Sequence, residues 1–536
     1  MKPTLAIYYS NADTWQGSAD EKMMFGELVQ LAKSSQMLKK IGRYCAVSFY
    51  CGRFTAFPKP FLTAVLCRIL TFGPCNWINA EKQIKRISLL ELFRLFGVFL
   101  YERCTYRKKL RQVEAELDRI QGKKTETPVL DPNGQPMYIY CSAGYGYIAG
   151  GSIGHIAGVL NNLERITGHK PIFLTTDIVP TVAPEIVPQL IHEPIPYGNI
   201  SDISKILYNK TFFEFLECET TGKKLSFVYQ RSVLNSYAGL QFALQHRLPF
   251  VLEYNSSEVW VALNWGRRKL FRVDLSEKIE NITLSKATLI TCVSQPLKNQ
   301  LIEKGVDADK IIVTPNGVNT ELYHPDIDGS KIRQKLNIDK NQIVVGFIGT
   351  FGQWHGVDVL AKAFVACLQD SQWKGQLHLL MIGSGRKFSQ VETILSNSLA
   401  KDKYSLPGVI PQAEGPSWLA ACDILCAPTV PNSDGSPFFG SPTKLFEYMA
   451  MGKAIVASRI AQPAELLDDE INALMIEPGS VEELKQAILR LASDAPLRAK
   501  LGAAACQKAC EQFTWEKRVQ GIYDALKNRV NNIYEE

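Results

Sequence analysis

The chain lacks the long apolar run that crossing a bilayer requires, which is about 20 residues. Two apolar stretches near its start, residues 61–73 and 87–101, are 13 and 15 residues long, and both contain charged side chains. The 13 cysteines include no C-x-x-C pair, which argues against a disulfide framework and indicates a reducing compartment. No apolar segment with a small-residue cleavage site follows Met1, so we expect no secretory leader. The sequence also contains no internal repeat and no low-complexity tract.

What the chain does contain is the composition of a folded protein, with 46% hydrophobic and 21% charged residues. Its 536 residues predict two to four domains. The positive charge is unevenly placed. Residues 1–135 carry 21 basic and 12 acidic side chains, a net charge of +9, whereas the net charge of the whole chain is +7. The basic character therefore belongs to one end of the chain.

Residues 1–135 are interpreted as a basic, mainly helical extension. Within it, residues 87–101 are rich in Leu and Phe, and the spacing of Ser88, Glu91 and Arg94 gathers them on one helix face. Basic residues flank both ends, which is typical of a helix lying on an anionic membrane surface. The alternative is a helix that packs on the protein or on a second copy. The sequence leaves both interpretations open.

Residues 125–136 contain prolines and an Asn-Gly pair, and they indicate a linker. Beyond this linker, apolar strands alternate with helices, which predicts parallel, doubly wound sheets. The predicted strands are residues 138–142, 172–175, 227–230, 250–254 and 289–293, followed by 344–349, 378–383, 424–427 and 454–457.

Residues 437–458 are the most informative segment, because their pattern predicts a loop, a short helix, a tight stop and a buried strand. Ser441 suits the N-cap and Pro442 the first helical position, and Gly452 suits a left-handed stop. Free N–H groups at such a helix start, with Lys444 in the first turn, suit a diphosphate. Glu447 lies one turn further, at the spacing to bind a sugar hydroxyl. The alternative is an ordinary connection with a solvated Glu.

Several motifs occur in a consistent order along the chain. Residues 437–458 resemble the nucleotide-sugar site of retaining glycosyltransferases of family 4, and residues 313–319 with Tyr323 resemble that family's inter-domain linker. Residues 345–349, 354–358 and 382–385 resemble the glycine-rich turns of its second domain. The resemblance spans about residues 136–530. It implies the α/β GT-B fold, in which two doubly wound Rossmann-like domains face a cleft.

The resemblance also divides the chain. It implies an acceptor domain at residues 136–315, a nucleotide-sugar domain at residues 316–513, and a last helix at residues 514–536 that returns to the first domain. In the family, the carboxylate that matches Glu447 binds the ribose, and Val409 and Ile410 match the backbone edge that recognises the base. The loop of Gly150 and Gly151 matches one that faces the diphosphate, although a glycine pair also suits a simple tight turn. The expected donor-binding residues are Gly150, Gly151, Gly349, Thr350, His355, Arg386, Val409, Ile410, Phe439, Gly440, Ser441, Pro442, Thr443, Lys444 and Glu447.

The sugar side of this site departs from the family pattern. The family has two Glu residues separated by seven positions, and the first of them matches Phe439 here. The sugar hydroxyls must then meet backbone N–H groups or Asp434.

The phosphate side departs as well. The Arg and Lys with which the family grips the diphosphate match Thr350 and His355. We expect Lys444 and Arg386 to replace that charge, with His355 helping when it is protonated. We interpret the pattern as a variant site rather than an inactive one.

The candidate catalytic residues are Asn255, Glu253, His155 and Lys444. Asn255 follows the strand 250–254, where relatives often carry His, and polar groups at the carboxyl ends of parallel strands usually belong to a site. The alternative is that Asn255 and Glu253 are surface groups. His155 lies one turn into the helix after the glycine loop, and it either faces the acceptor or is an ordinary surface His. We recognise no Asp-x-Asp metal site between strands and no Cys/His cluster, and we expect no metal and no cofactor.

The expected function is transfer of a hexose from a nucleotide-sugar, UDP in preference to GDP, with retention of anomeric configuration. The expected acceptor is a glycan or lipid-linked glycan in surface polysaccharide or glycoconjugate biosynthesis. We expect a cytoplasmic protein, peripheral on the inner face of an anionic membrane through residues 1–135, with no nucleic-acid partner. The alternatives are a catalytically silent scaffold that binds membrane or a partner, and a nucleotide-sugar 2-epimerase. The sugar, the acceptor and the oligomeric state stay open.

Overall fold

The computed structural model of the chain describes residues 2–9, 19–54, 57, 59–124, 126–142, 149–191, 196–200, 202–265, 269–432, 435 and 438–535. In this part of the chain, three sheets of five, seven and six strands follow one another along the sequence. Asp434, the candidate partner for sugar hydroxyls, lies outside the described residues.

The first unit is built on the five-stranded sheet, in the order β2-β1-β3-β4-β5 with β5 antiparallel to β4. Its strands are β1 (Thr4–Tyr8), β2 (Glu21–Met24), β3 (Ala46–Tyr50), β4 (Cys75–Ile78) and β5 (Ile84–Arg86). Its helices are α1 (Phe25–Ala32), α2 (Gln36–Lys39), α3 (Pro60–Leu70) and α4 (Leu89–Gly122). Helices hold more of these residues than strands do, in line with the expected helical extension. The sequence analysis does not predict the sheet, because strands this short carry little periodic signal.

Helix α4 joins the first unit to the second. Leu95, in its first half, belongs to the core of the first unit. Leu110, Val113 and Leu117, in its second half, belong to the core of the following domain. The predicted boundary at residue 135 therefore does not separate an independent extension, because the two units share this helix.

The second unit is a doubly wound domain on a parallel seven-stranded sheet, in the order β12-β11-β10-β9-β6-β7-β8. Its strands are β6 (Gln135–Tyr140), β7 (Ile172–Thr175), β8 (Gln189–Leu190), β9 (Leu225–Arg231), β10 (Phe250–Tyr254), β11 (Leu289–Cys292) and β12 (Ile311–Val313). Its helices are α5 (Gly151–Thr167), α6 (Ile203–Thr220), α7 (Ala238–Gln245), α8 (Glu258–Trp260), α9 (Val273–Lys286) and α10 (Gln295–Glu303).

The third unit repeats this architecture on a parallel six-stranded sheet, in the order β15-β14-β13-β16-β17-β18. Its strands are β13 (Ile343–Ile348), β14 (Leu377–Ile382), β15 (Tyr404–Gly408), β16 (Ile424–Ala427), β17 (Ala454–Ser458) and β18 (Leu474–Ile476). The helices are α11 (Ser330–Lys335), α12 (Val357–Cys367), α13 (Phe388–Ser396), α14 (Gly415–Ala420), α15 (Thr443–Ala450), α16 (Ala461–Leu466), α17 (Val481–Ser493), α18 (Ala495–Gln512) and α19 (Trp515–Glu535).

The predicted fold class of two doubly wound, Rossmann-like domains is confirmed. Each of the nine predicted strands overlaps an observed strand, because strands buried on both faces are short continuous apolar runs. The last helix, α19, leaves the third unit and packs on α5 of the second, where Trp515, Val519 and Leu526 are buried. No helix in the described residues is both long enough and apolar enough to span a membrane.

Candidate active site

The two Rossmann-like domains enclose a cavity of about 300 Å³, which is large enough for a small-molecule ligand. The second Rossmann-like domain, which is the third unit of the fold, supplies most of the wall, from the loops after β13, β14 and β15 and from the start of α15. The first supplies residues 149–151, at the start of α5. Of the predicted donor-binding residues, the wall contains Gly150, Gly151, Gly349, Thr350, His355, Val409, Ile410, Gly440, Ser441, Pro442, Thr443, Lys444 and Glu447.

Helix α15 is held rigidly in this wall. Its Leu445 and Phe446 are fully buried in the core, and the Tyr448 hydroxyl accepts the N–H of Ile348 over 2.9 Å, which ties the helix to β13. The helix stops at Gly452, whose φ of +62° is the predicted left-handed conformation. Side chains in the first two turns of α15 therefore have fixed positions.

Lys444 lies in the first turn of α15. Its Nζ is 3.9 Å from the centroid of the Phe347 ring, a cation–π contact. Burial lowers the pKa of Lys444 to about 7, and the charge of Glu447 offsets only part of that effect. A Cβ at Gly349 would lie 2.7 Å from Nζ, so the glycine leaves the room that this amine occupies. The lysine is thus poised to gain a proton when an anion binds.

Glu447 lies one turn further along α15 and is 8% exposed. Burial raises its pKa to about 7, against the opposing effects of a hydrogen bond from Tyr323 and the charge of Lys444. Tyr323 follows the linker between the domains, and its side chain also lines the cavity. The carboxyl group therefore stands ready to accept hydrogen bonds from hydroxyl groups of a ligand.

His355, in the glycine-rich loop after β13, lies beside Thr350 and Lys444. Thr350 Oγ1 lies 3.2 Å from His355 Nδ1. Burial, together with the charge of Lys444, lowers the pKa of His355 to about 2. This lowered pKa disfavours the protonated form through which His355 is expected to help at the diphosphate.

Two predicted donor-binding residues are not part of the wall. Arg386 is exposed, and its Nη2 donates to the Trp265 carbonyl oxygen over 2.9 Å, so it does not supply the replacement charge in this structure. Phe439 is 7% exposed, and its ring centroid lies 5.3 Å from that of Trp265 and 5.8 Å from that of Trp260. This aromatic packing holds the phenyl group between the domains.

The start of α15 differs from the prediction. Pro442, not Ser441, occupies the N-cap position. The Ser441 hydroxyl accepts the backbone N–H of Asn316 over 3.0 Å, because the linker between the domains runs beside this loop. Ser441 thus ties the linker to the donor loop and leaves the first N–H groups of the helix without a side-chain cap.

Three of the four candidate catalytic residues form a buried cluster in the first Rossmann-like domain and are not part of the cavity wall. Glu253 is 1% exposed and accepts hydrogen bonds from Asn255 (2.7 Å), Tyr138 (3.1 Å) and Arg231. His155 Nε2 lies 3.1 Å from the same carboxylate. Burial favours a raised pKa for Glu253, but the charges of His155 and Arg231 outweigh burial and hold the pKa below its ordinary value.

These positions correct both interpretations of His155. Its side chain is 7% exposed, so it is not a surface histidine, and Nδ1 lies 2.6 Å from Asn316 Oδ1 rather than facing the cavity. Glu253 and Asn255 are likewise neither surface groups nor cavity groups. Of the four candidates, Lys444 alone is in the wall.

Several wall residues lie outside the predicted donor-binding set. These are Ala149, Ile348, Trp354, Ile382, Gly383, Ser384, Pro411, Gln412, Gly415, Thr429 and Phe438. Many of them follow the carboxyl ends of β13, β14, β15 and β16, and that position in a parallel sheet is itself a signal for site residues. Among the residues that the structure describes, no group of three or more His, Cys, Asp or Glu is placed to hold a metal ion.

Two family models match consecutive parts of the chain. The model for Glycosyltransferase Family 4 matches residues 150–322, and the model for Glycosyl transferases group 1 matches residues 342–494. The chain is 24% identical over 340 residues to the uncharacterized glycosyltransferase MJ1069 of Methanocaldococcus jannaschii, covering 63% of this chain and 83% of that protein. It is 27% identical over 203 residues to the amylovoran biosynthesis glycosyltransferase AmsK of Erwinia amylovora, covering 38% of this chain and 47% of that protein.

The fold is also similar to solved structures. The Anabaena protein Alr3699/HepE, in complex with UDP and glucose, superposes with a TM-score of 0.55 at 19% identity. The superposition covers 74% of this chain and 100% of that chain. At this level of identity the similarity shows the fold.

Proposed function

We propose that this chain, a glycosyltransferase of the GT-B fold, moves a hexose from a nucleoside diphosphate to a hydroxyl group with retention of anomeric configuration. The observation that carries the proposal is the cavity wall, where Lys444, Glu447 and the glycine turns at residues 150–151 and 349 meet. Lys444 and the free N–H groups of α15 suit the diphosphate, and Glu447 suits the ribose. The backbone at Val409 and Ile410 suits the base.

The nucleotide in this proposal is UDP. The support is that the Anabaena structure of similar fold is described as a complex with UDP and glucose. Glu447 would accept hydrogen bonds from the ribose hydroxyls, which every nucleoside diphosphate of this kind carries. Discrimination between UDP and GDP would therefore come from the backbone edge beside Val409 rather than from Glu447.

The proposed reaction is a displacement on one face of the sugar. The bond between C1 and the diphosphate oxygen breaks while the acceptor oxygen bonds to C1, and the acceptor proton passes to the departing diphosphate. No side-chain base is then required. Lys444 and the N–H groups at the start of α15 stabilise the charge that develops on the diphosphate. Since these groups supply the positive charge, we propose a reaction without a metal ion or a cofactor.

Exclusion of water is a second requirement of transfer, because water competes with the acceptor. The N–H of Gly150 in the first Rossmann-like domain donates to Gln412 Oε1 in the second over 3.1 Å. Both residues line the cavity, so the domains are in contact at its wall. This contact supports a site that closes around its donor.

The proposed acceptor is a lipid-linked glycan at an anionic membrane surface on the cytoplasmic side. The first half of α4 carries an apolar stripe of exposed residues, each at least 41% exposed, namely Leu89, Leu90, Phe93, Phe96, Leu100 and Tyr101. Exposed basic residues follow it on the same helix, namely Arg103, Arg107, Lys108 and Arg111. An apolar stripe that continues into basic residues is complementary to anionic lipid. The name of AmsK, an amylovoran biosynthesis glycosyltransferase, supports a role in making polysaccharide.

The test is calorimetric titration of the full chain with UDP, GDP and ADP, followed by turnover of the matching nucleotide-sugars on lipid-linked acceptors. We expect UDP to bind most tightly and the product to keep the anomeric configuration of the donor, as measured by NMR. An inverted product would contradict the mechanism. Donor binding without transfer to any acceptor would favour a silent scaffold, and a chain that binds no nucleotide would overturn the proposal.

A further inference from the structure

A chain of hydrogen bonds runs from the buried Glu253 carboxylate to the start of α15. His155 Nε2 lies 3.1 Å from Glu253 Oε1, and His155 Nδ1 lies 2.6 Å from Asn316 Oδ1. The side-chain nitrogen of Asn316 donates to the Ser441 carbonyl oxygen over 2.6 Å and to Thr443 Oγ1 over 3.2 Å. The chain therefore begins in one domain, passes through the inter-domain linker and ends at the donor helix of the other.

The partners in this chain determine where the hydrogens lie. The Ser441 carbonyl oxygen only accepts, so the amide nitrogen of Asn316 must face it, and the amide oxygen must face His155. The ionised carboxylate of Glu253 also only accepts. His155 consequently lies between two hydrogen-bond acceptors, one beside each ring nitrogen.

His155 cannot contact the donor itself. Neither His155 nor Asn316 is part of the cavity wall. The imidazole packs against the Trp515 ring of α19, with the ring centroids 4.9 Å apart. His155 and Asn316 are each 6% exposed when the whole residue is counted. Leaving either of them without its hydrogen-bond partner would be costly, because both are buried polar groups. Of the hydrogen bonds that His155 makes, the one to Asn316 leads toward the start of α15.

We propose that His155 is a positioning residue for the donor site. Its two hydrogen bonds fix Asn316 relative to Glu253, and Asn316 in turn fixes the loop that begins α15. This arrangement keeps Lys444 and the free N–H groups of the first turn aimed at the diphosphate. The claim that Lys444 is aimed at a diphosphate rests on the proposed function. The claim that hydrogen bonds couple the two domains at α15 does not.

The test compares three single variants of the full chain. His155→Gln offers one donor end and one acceptor end, so it satisfies only one of the two acceptors. Asn316→Asp still accepts from His155 but turns an oxygen toward the Ser441 carbonyl, which breaks the last link. Tyr138→Phe is the matched control, because Tyr138 donates to the same Glu253 over 3.1 Å without touching the linker.

Hydrogen exchange of the unliganded protein measures the coupling directly. We expect the hydrogen-bonded backbone amides of residues 445–450 to exchange faster in His155→Gln and in Asn316→Asp than in the wild type, and at the wild-type rate in Tyr138→Phe. We also expect the first two variants to weaken UDP binding about 2- to 30-fold, the range found for changes along a coupled network. Their effects should not add in the double variant, because both break one chain.

The possible outcomes are distinct. If exchange at α15 is unchanged in both His155→Gln and Asn316→Asp, and only Tm is lower, His155 has a purely structural role and the inference is overturned. Equal acceleration in Tyr138→Phe would overturn it too. If His155→Gln does not fold, Asn316→Asp decides the question alone. A wild type that binds no UDP would defeat the proposed function, while the exchange result would still decide the coupling.

Discussion

The amide N–H of Gly150 donates to Gln412 Oε1 over 3.1 Å, which joins the two Rossmann-like domains within the wall of the cavity. Gly150 lies just before α5. Gln412 follows β15, and the backbone just after β15 is expected to bind the base. The loop before α5 and the loop after β15 are therefore in direct contact at the cavity. Substitutions at Gln412 test how much this contact contributes.

Gln412→Leu removes the acceptor and leaves the Gly150 N–H without its partner. A net hydrogen bond contributes about 0.5–1.5 kcal/mol, so we expect UDP to bind about 2- to 12-fold more weakly by calorimetry. Gln412→Glu is the matched control, since its carboxylate still accepts from the same N–H. Equal loss in both variants would show that the hydrogen bond to Gly150 is not the cause of the loss.

Glu447→Gln removes the charge that would accept hydrogen bonds from the ribose. We expect UDP affinity to fall by about 1.5–3 kcal/mol at pH 8.5, roughly 10- to 150-fold. The pKa of about 7 makes the effect depend on pH. Below pH 7 the wild-type carboxyl becomes protonated, so the ratio of wild-type to variant affinity should fall toward one; Lys444 is present in both proteins and does not by itself change this ratio. Equal affinities at pH 8.5 would show that Glu447 is not a ribose ligand.

Lys444→Ala should weaken binding of UDP at least tenfold and leave binding of uridine unchanged, because the amine acts on the diphosphate. The pKa of about 7 gives the opposite dependence on pH to that of Glu447. Above pH 7 the amine of the empty site is neutral and must gain a proton on binding, so UDP affinity should fall as pH rises. Lys444→Arg, which stays charged, should abolish that fall. Equal losses for uridine and UDP in Lys444→Ala would mean that the lysine has only a structural role.

Leu117→Ala should destabilise the protein, because this α4 side chain is fully buried in the core of the second unit. A buried Leu→Ala change costs about 2–5 kcal/mol in the free energy of unfolding. Leu90→Ala, on the same helix but 80% exposed, should change it by less than about 0.5 kcal/mol. Urea unfolding measures both. Similar small values would show that α4 is a detachable extension after all.

The apolar stripe of α4 predicts binding to anionic vesicles. Leu90→Glu combined with Phe93→Glu should release the chain, since these side chains are 80% and 72% exposed and would enter the lipid. Leu92 and Phe99 are less exposed and pack on the protein, so they are not expected to enter the lipid.

Vesicle flotation measures this binding, and charge is tested separately. Each basic residue near an anionic surface contributes about 1 kcal/mol, so Arg107→Gln, Lys108→Gln and Arg111→Gln together should weaken binding, while high salt alone should release the protein only in part. Equally poor flotation with neutral and anionic vesicles would contradict the proposal. A dimer that the Leu90→Glu, Phe93→Glu variant loses would identify a second copy as the partner.

Much of the fold follows from the sequence alone. Residues 172–175, 250–254 and 424–427 were predicted as strands and are strands with the same ends, because a strand buried on both faces is a local apolar run. Gly452 was predicted as a left-handed stop and is one. The short helix α15 is also predictable from the sequence. Because Lys444 and Glu447 are three positions apart on one helix, their side chains lie on the same face. Each of these features depends on a few neighbouring residues.

Only the tertiary structure decided which side chains meet and which are charged. His155 contacts Asn316, which is 161 positions away, and nothing local to either residue indicates that pair. Phe439 packs with Trp265 of the other domain, and burial together with the charge of Lys444 lowers the pKa of His355. Local pattern predicts secondary structure because apolar spacing and turn preferences depend on a few neighbouring residues, whereas partners and protonation depend on groups that folding brings together from distant parts of the chain.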